Sequence, residues 1–200
     1  MNAWGPHLPG ETPIPDRSGL KRQEIKNRKE LATAEAENIL AAVTKYLAAK
    51  PRRSGSLFTY DWSLKVHRDM FGEVWSWAGV IRSTECNIGP LPHLIRDQLA
   101  AVFKDLPYWT ENPITQACRL HHRTVRVHPF LNGNGRWARM LADIWLRSHD
   151  LPIMQWPSAI GEESAIRSEY IAAIKLADSG DLEPLIALHL RHWPGASQSA

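Results

Sequence analysis

The chain has 200 residues, 44% of them hydrophobic and 22% charged. That is enough for one domain with a real core, and it excludes disordered and collagen-like classes. A net charge of +3, with basic residues spread along the chain, accommodates an anionic ligand without requiring nucleic acid.

Residues 1–21 form an irregular arm, broken by Pro6, Pro9, Pro13 and Pro15. It lacks the apolar core of a signal peptide, and no apolar stretch nears the ~20 residues of a membrane span, so cytoplasmic residence is expected. From 22 to 49 the spacing of Ala36, Leu40, Val43 and Leu47 predicts a helix with one apolar stripe. Pro51 and Ser54-Gly55-Ser56 stop it, and the basic run at 50–53 reads as a solvated linker. A second helix is expected over 62–75, with Leu64, Val66, His67 and Met70 inside.

Val80-Ile81-Arg82-Ser83-Thr84 has strand character, and 87–92 is rich in turn formers, which predicts a short β-hairpin flap within 79–92. Helix returns over 94–103 and, after Asn112-Pro113, over 114–127. Pro129 and Gly133 make 128–133 a loop, followed by an amphipathic helix over 134–149 that turns Met140, Leu141, Ile144 and Trp145 inward. Helices over 162–177 and 181–192 close the domain, and 193–200 is a tail. The fold class is therefore mainly α, a helical bundle with one small β flap. The nine tryptophans are scattered and fill the core or seal its edges; Cys86 and Cys118 lack metal-site or Cys-x-x-Cys spacing and read as reduced, structural thiols.

Chemistry concentrates in His128-Pro129-Phe130-Leu131-Asn132-Gly133-Asn134-Gly135-Arg136-Trp137-Ala138-Arg139. Two glycines where a loop enters a helix let backbone amides crowd toward a ligand, and the first amides of a helix lack internal partners. With the helix dipole they form a nest for phosphate. Arg136 and Arg139 leave one face of the first turn and can grip several phosphates. His128, with a near-neutral pKa, suits a general base, and Phe130 anchors the loop. Each residue alone has an ordinary structural explanation; their conjunction within twelve positions does not. Gly133-Asn134-Gly135-x-x-Ala138 also fits a loose dinucleotide fingerprint, but Pro129 and the absence of a βαβ pattern exclude it.

This segment resembles the signature of the Fic family, His-x-Phe-x-(Asp/Glu)-Gly-Asn-Gly-Arg-x-x-Arg, with Asn132 at the acidic position. Trp77-Ala78-Gly79-x-x-Arg82 is similar to the family's entry to its flap. Arg167, Tyr170 and the Ala177-Asp178-x-Gly180-Asp181 turn are similar to its C-terminal part. The resemblance covers 22–192, and among subgroups it is strongest to the mobile mystery protein B group. It implies a Fic-type bundle that moves AMP from ATP to a Ser, Thr or Tyr hydroxyl of a target protein. It assigns His128 as general base, Gly133, Asn134 and Gly135 as the phosphate cradle, and Arg136 and Arg139 to the α/β- and γ-phosphates. Ile81, Arg82, Ser83 and Thr84 would bind the target. Residue 132 would face Mg²⁺, and an asparagine there, a weaker ligand than a carboxylate, implies reduced activity or altered metal demand.

Thr33-Ala34-Glu35-Ala36-Glu37-Asn38 looks like the family's inhibitory motif, (Ser/Thr)-x-x-x-Glu-(Gly/Asn). The resemblance implies that Glu37 pairs with Arg139 and keeps the γ-phosphate out of place. Two other chemistries stay open: phosphate transfer on the same fold, and a nucleotide-binding regulator weakened by Asn132. A homodimer is also compatible with the family; direct nucleic-acid and membrane partners are not expected.

Overall fold

In the computed structural model, residues 17–49 and 57–195 are described. The Pro-rich stretch 1–16, the basic run 50–53 and the end of the tail, 196–200, lie outside them.

Among the described residues, seven α-helices are set by local signals. α1 (Arg28–Leu47) starts later than the periodicity predicts, because Asn27 caps it. The Asn27 side chain accepts from the Glu30 amide, and Glu30 reaches back to the Lys26 amide, a reciprocal capping arrangement. α2 (Tyr60–Phe71) is capped by Thr59 and stops at Gly72, short of the expected end. α3 (Pro92–Asp105) begins on a proline, and α4 (Pro113–Val127) carries one at its first position behind Asn112, which accepts from the Ile114 and Thr115 amides. α5 (Asn134–Ser148), α6 (Ala165–Asp178), capped by Ser164, and α7 (Glu183–Arg191) complete the order.

α4 and α5 form the central antiparallel pair, with α1 and α2 packed on one side and α6 and α7 on the other. Trp137, Phe130, Leu120, Leu141, Ile144 and Phe71 are fully buried between them. A second apolar cluster joins Cys118 of α4 to Tyr170, Ala173, Ala177, Leu185 and Leu188. Both cysteines are free; burial pushes the Cys118 thiol far up, so it is an inert core residue. No described helix is long and apolar enough to cross a membrane.

Two expectations are corrected. The predicted stripe of α1 is rotated: Ala36 and Leu40 face solvent, and the buried face is Leu31, Ala34, Glu35, Asn38, Ala42 and Leu47. The face holds two polar residues because both are satisfied: Asn38 bonds the Asp69 carbonyl and the Glu73 amide, while Glu35 reaches the site described below.

The β-hairpin over 79–92 does not form; among the described residues the only β pairing is an isolated bridge between Leu20 and Trp75. Arg82 explains the difference. Its buried guanidinium accepts nothing and donates to the carbonyls of Thr84 (2.8 Å) and Pro90 (2.6 Å), closing the loop from inside instead of by cross-strand amides. The end of the irregular arm packs against the body. Leu20 is buried, the Lys21 amide donates to Val74 and the Ser76 amide to Gly19, so residues 19–21 run along 74–76.

Candidate active site

α4 ends at Val127, and His128 follows in the left-handed conformation (φ 48°), which residues with a Cβ seldom adopt. Arg82 holds that turn, its Nε donating to the His128 carbonyl at 2.8 Å and its amide to the Pro129 carbonyl at 2.9 Å. Gly89 presses on it so closely that a Cβ there would come within 2.8 Å of the His128 Cβ. His128 Nδ1 lies 3.3 Å from the Val125 carbonyl. A carbonyl only accepts, so Nδ1 carries the proton and Nε2 is the basic nitrogen. Burial lowers the His128 pKa to about 4, with the Arg82 charge adding to the effect, so the ring is neutral at pH 7.

The loop from 129 to 133 is clamped at both ends. Asn134 Oδ1 accepts from the Phe130 amide (2.9 Å) and its Nδ2 donates to the Phe130 carbonyl (2.8 Å). The Asn134 side chain therefore shapes the loop, and only its backbone is left to meet a phosphate. Phe130 is fully buried, as its anchoring role requires, stacked on His67 with ring centroids 3.6 Å apart. His67 was predicted only as an interior residue of its helix, yet it supports the loop directly. Its Nδ1 accepts from the Gly79 amide at 2.9 Å, so Nε2 carries the proton and donates to the Asn132 carbonyl at 3.0 Å. Burial drives its pKa down to about 3, which keeps this tautomer neutral.

The two glycines of the nest have different reasons. Gly133 sits at φ +80°, and a Cβ there would meet the Phe71 ring at 2.7 Å, so the fold itself demands glycine. At Gly135 a Cβ would find ordinary contacts, 3.7 Å from both Arg139 Nη1 and the Tyr170 hydroxyl. Nothing in the protein needs glycine there; its bare Cα keeps open the approach to the first turn of α5. That helix starts with no side-chain cap, leaving the positive end of its dipole to the cleft.

Arg136 and Arg139 both line the cleft. Arg136 stands over the Phe71 ring, 4.8 Å from its centroid, and donates through Nη1 to Glu35 Oε2 at 2.7 Å and through Nη2 to Asn132 Oδ1 at 3.2 Å. The other Glu35 oxygen accepts from Trp75 Nε1 at 2.7 Å. Arg139 lies between the rings of Trp156 and Tyr170, 5.9 and 5.6 Å from their centroids. Burial lowers its pKa, opposed by the Tyr170 hydroxyl.

Glu37 does not reach this site. Its side chain is 66% exposed and its cation is Arg22, 3.5 Å away. The pairing with Arg139 is thus not made; the carboxylate that α1 delivers to the motif is Glu35, and it meets Arg136. The flap residues also divide differently. Ile81 packs on the core, Arg82 is the buried staple, and Ser83 and Thr84 are exposed. The wall of the cleft comes from the next turn, Asn87, Ile88, Gly89 and Pro90.

The cleft encloses about 1040 Å³ and is lined by His128, Asn132, Gly133, Asn134, Gly135, Arg136 and Arg139, with Arg28, Arg126, Arg167 and Lys175 adding positive charge against Glu35 and Asp178. The described residues hold no group of three or more metal-ligating side chains, and the one motif oxygen foreseen for a metal, Asn132 Oδ1, is engaged by Arg136. The described residues by themselves therefore build no metal cage.

The model of the Fic/DOC family matches residues 57–146. A protein adenylyltransferase of Caenorhabditis elegans, fic-1, is 31% identical over 143 residues, 68% of this chain and 27% of its own length. The chain thus spans about a quarter of the length of the curated relatives it matches. The solved structure of Fic-1 (residues 134–508) from C. elegans superposes with a TM-score of 0.63 at 27% identity, covering 82% of this chain and 50% of that one. The N-terminal Fic domain of an effector protein from Bartonella sp. AR 15-3 shares the fold more completely, with a TM-score of 0.70 over 96% of this chain and 92% of that one, at 16% identity. The motif, the helical frame around it and these likenesses agree: residues 57–146 are a domain of the Fic/DOC family.

Proposed function

We propose that this chain is a protein adenylyltransferase, moving AMP from ATP to a Ser, Thr or Tyr hydroxyl of a target protein. The observation that carries the reading is the convergence, on one positively lined cleft, of a neutral histidine, an uncapped helix start with an open Cα at Gly135, and two arginines of its first turns. The relatives of about 30% identity are named for that activity. In this reading the target's hydroxyl oxygen attacks the α-phosphorus, pyrophosphate leaves, and His128 Nε2 takes the hydroxyl proton. Backbone amides of residues 133–135 and the Arg136 and Arg139 guanidiniums stabilise the charge on the phosphates. The target would run along the wall at 87–90, with the exposed Ser83 and Thr84 at its edge.

Magnesium, when present, supplies charge neutralisation on the triphosphate; the chain offers it Asn132 Oδ1, a single neutral oxygen. Glu35, tied to Arg136, is the brake in this reading, in the place foreseen for Glu37.

Incubation with ATP labelled at the α- or γ-phosphate, in the presence of a cell lysate, tests the reading. Protein labelled from the α position is the expected result. Labelling from γ alone would establish phosphate transfer, and ATP binding without either would establish a regulator.

A further inference from the structure

Behind Arg139 lies a buried polar chain that the transfer reaction does not use. The Tyr170 hydroxyl is 3.0 Å from His121 Nε2, and His121 Nδ1 is 2.9 Å from His189 Nε2. Tyr170 is 5% exposed and both histidines are fully buried. They come from three helices, α6, α4 and α7, joined side by side under Arg139. The Trp156 ring stands edge-on to all three and lies against Arg139 as well.

The direction of the chain follows from its first member. The Tyr170 hydroxyl and Arg139 Nη1 flank the same open side of Gly135, and a guanidinium has only donors, so toward Arg139 the Tyr170 oxygen presents a lone pair. Its hydroxyl proton is then directed to His121 Nε2, which accepts. His121 Nδ1 therefore carries a proton and donates to His189 Nε2. His189 Nδ1–H ends the chain, and it has no hydrogen-bond partner among the described residues. A core that only needed filling would place apolar rings here; one that leaves a buried N–H unpaired is retaining the polarity for another reason.

We propose that Tyr170, oriented by His121 and His189, is a positioning residue that aims Arg139 at the terminal phosphate of the bound nucleotide. The proposal rests on the reading of Arg139 as a phosphate anchor. It makes the three side chains determinants of how strongly the site prefers a triphosphate to a monophosphate.

The test measures binding of ATP and AMP to the full chain by calorimetry. Tyr170→Phe keeps the ring and removes the hydroxyl; ATP affinity should fall about tenfold or more, the worth of one hydrogen bond to a charged group, with AMP affinity unchanged. His121→Leu should reproduce the loss, and His121→Gln, which restores an acceptor toward Tyr170, should recover most of it. Arg139→Ala should lower the ATP-to-AMP preference further, and adding Tyr170→Phe to it should change nothing more. If Arg139→Ala lowers the preference and Tyr170→Phe leaves it alone, or weakens ATP and AMP equally, the positioning role is overturned. If Arg139→Ala itself leaves the preference intact, the phosphate-anchor reading falls and the proposal with it. Circular dichroism on each variant identifies any that loses its fold, in which case the His121→Gln and His121→Leu pair decides.

Discussion

The Glu35 carboxylate and the Arg136 guanidinium meet at 2.7 Å, from helices 101 positions apart in the sequence. The Glu35 side chain is 7% exposed and its second oxygen is held by the Trp75 indole, so both lone-pair sets are satisfied and the charge is paired. Such a contact is firm, because removing either partner strands a buried polar group. A phosphate that is to reach Arg136 competes with it.

Glu35→Gln should therefore raise α-label transfer and nucleotide affinity by roughly tenfold, since an amide oxygen still accepts from Trp75 but no longer neutralises the arginine. Glu37→Gly, at the exposed neighbouring position, should change neither by more than about twofold, at a helix cost of about 1 kcal/mol. Rate and affinity measured for the two variants side by side check the assignment. Equal behaviour, or activation by Glu37→Gly alone, would remove Glu35 from the brake.

His128→Ala should lower transfer by 10²–10⁴-fold, about the share general-base catalysis contributes, while leaving ATP binding near wild type. Alanine is somewhat less at home in the left-handed turn than histidine, a small cost that the Arg82 clamp on the turn should carry without loss of the fold. The pH profile carries a sign. The base is active when neutral, and burial holds its pKa at about 4, so, over the pH range in which the protein stays folded, kcat/KM of wild type should show no decline centred on the ordinary histidine pKa of about 6.5. A decline centred near 6.5 would mean that another histidine is titrating.

The joint of α4, loop and α5 was legible in the sequence because its signals are local: Asn112-Pro113 at one end, Gly133-Asn134-Gly135 at the other. The face of α1 was not. Its buried side includes Glu35 and Asn38, and a search for apolar spacing passes over polar residues whose partners, Trp75, Arg136, Asp69 and Glu73, are distant in sequence. The strand-like 80–84 stretch misled for a related reason: one guanidinium, Arg82, takes the carbonyls a partner strand would have used. His67 gave only one hint, a histidine on the apolar side of α2. Its two roles, toward Gly79 and Asn132, exist only in the folded chain.

The glycines of the nest should separate fold from function. Gly133→Ala places a methyl 2.7 Å from the Phe71 ring at a φ of +80°, so it should destabilise by about 2 kcal/mol or more. Gly135→Ala has 3.7 Å of room on both near sides and lies inside a helix, where alanine gains up to about 1 kcal/mol. It should leave the melting temperature equal or higher and weaken ATP binding at least tenfold, because the methyl stands where phosphate oxygens approach the amides. Denaturant melts and titrations on the two variants check this. Unimpaired ATP binding by Gly135→Ala would place the phosphates elsewhere.

Stability should fall steeply below neutral pH, and the count of titrating groups sets the slope. His67, His121, His128 and His189 are buried, and burial holds all four below their ordinary pKa: His67 and His189 at about 3, His128 at about 4, His121 well down. Between pH 6.5 and about 4 the unfolded chain takes up protons at these four that the native state refuses. Asp143 acts in the opposite sense, since burial raises its carboxyl to about 7 and the native state binds that proton first, offsetting one of the four. The balance favours the unfolded chain, since more buried groups refuse a proton than bind one early, and each such proton costs about 1.4 kcal/mol per pH unit. The histidine contribution is fully present above pH 6.5 and is lost as pH falls toward 4. Set against a total of roughly 5–15 kcal/mol for an ordinary domain, a loss of this kind is large enough to bring on acid unfolding. Urea midpoints taken from pH 8 to 4.5 should be nearly level above 7 and drop sharply below 6.5. A midpoint that stays level down to pH 5 would mean that these histidines are not held neutral in the native core.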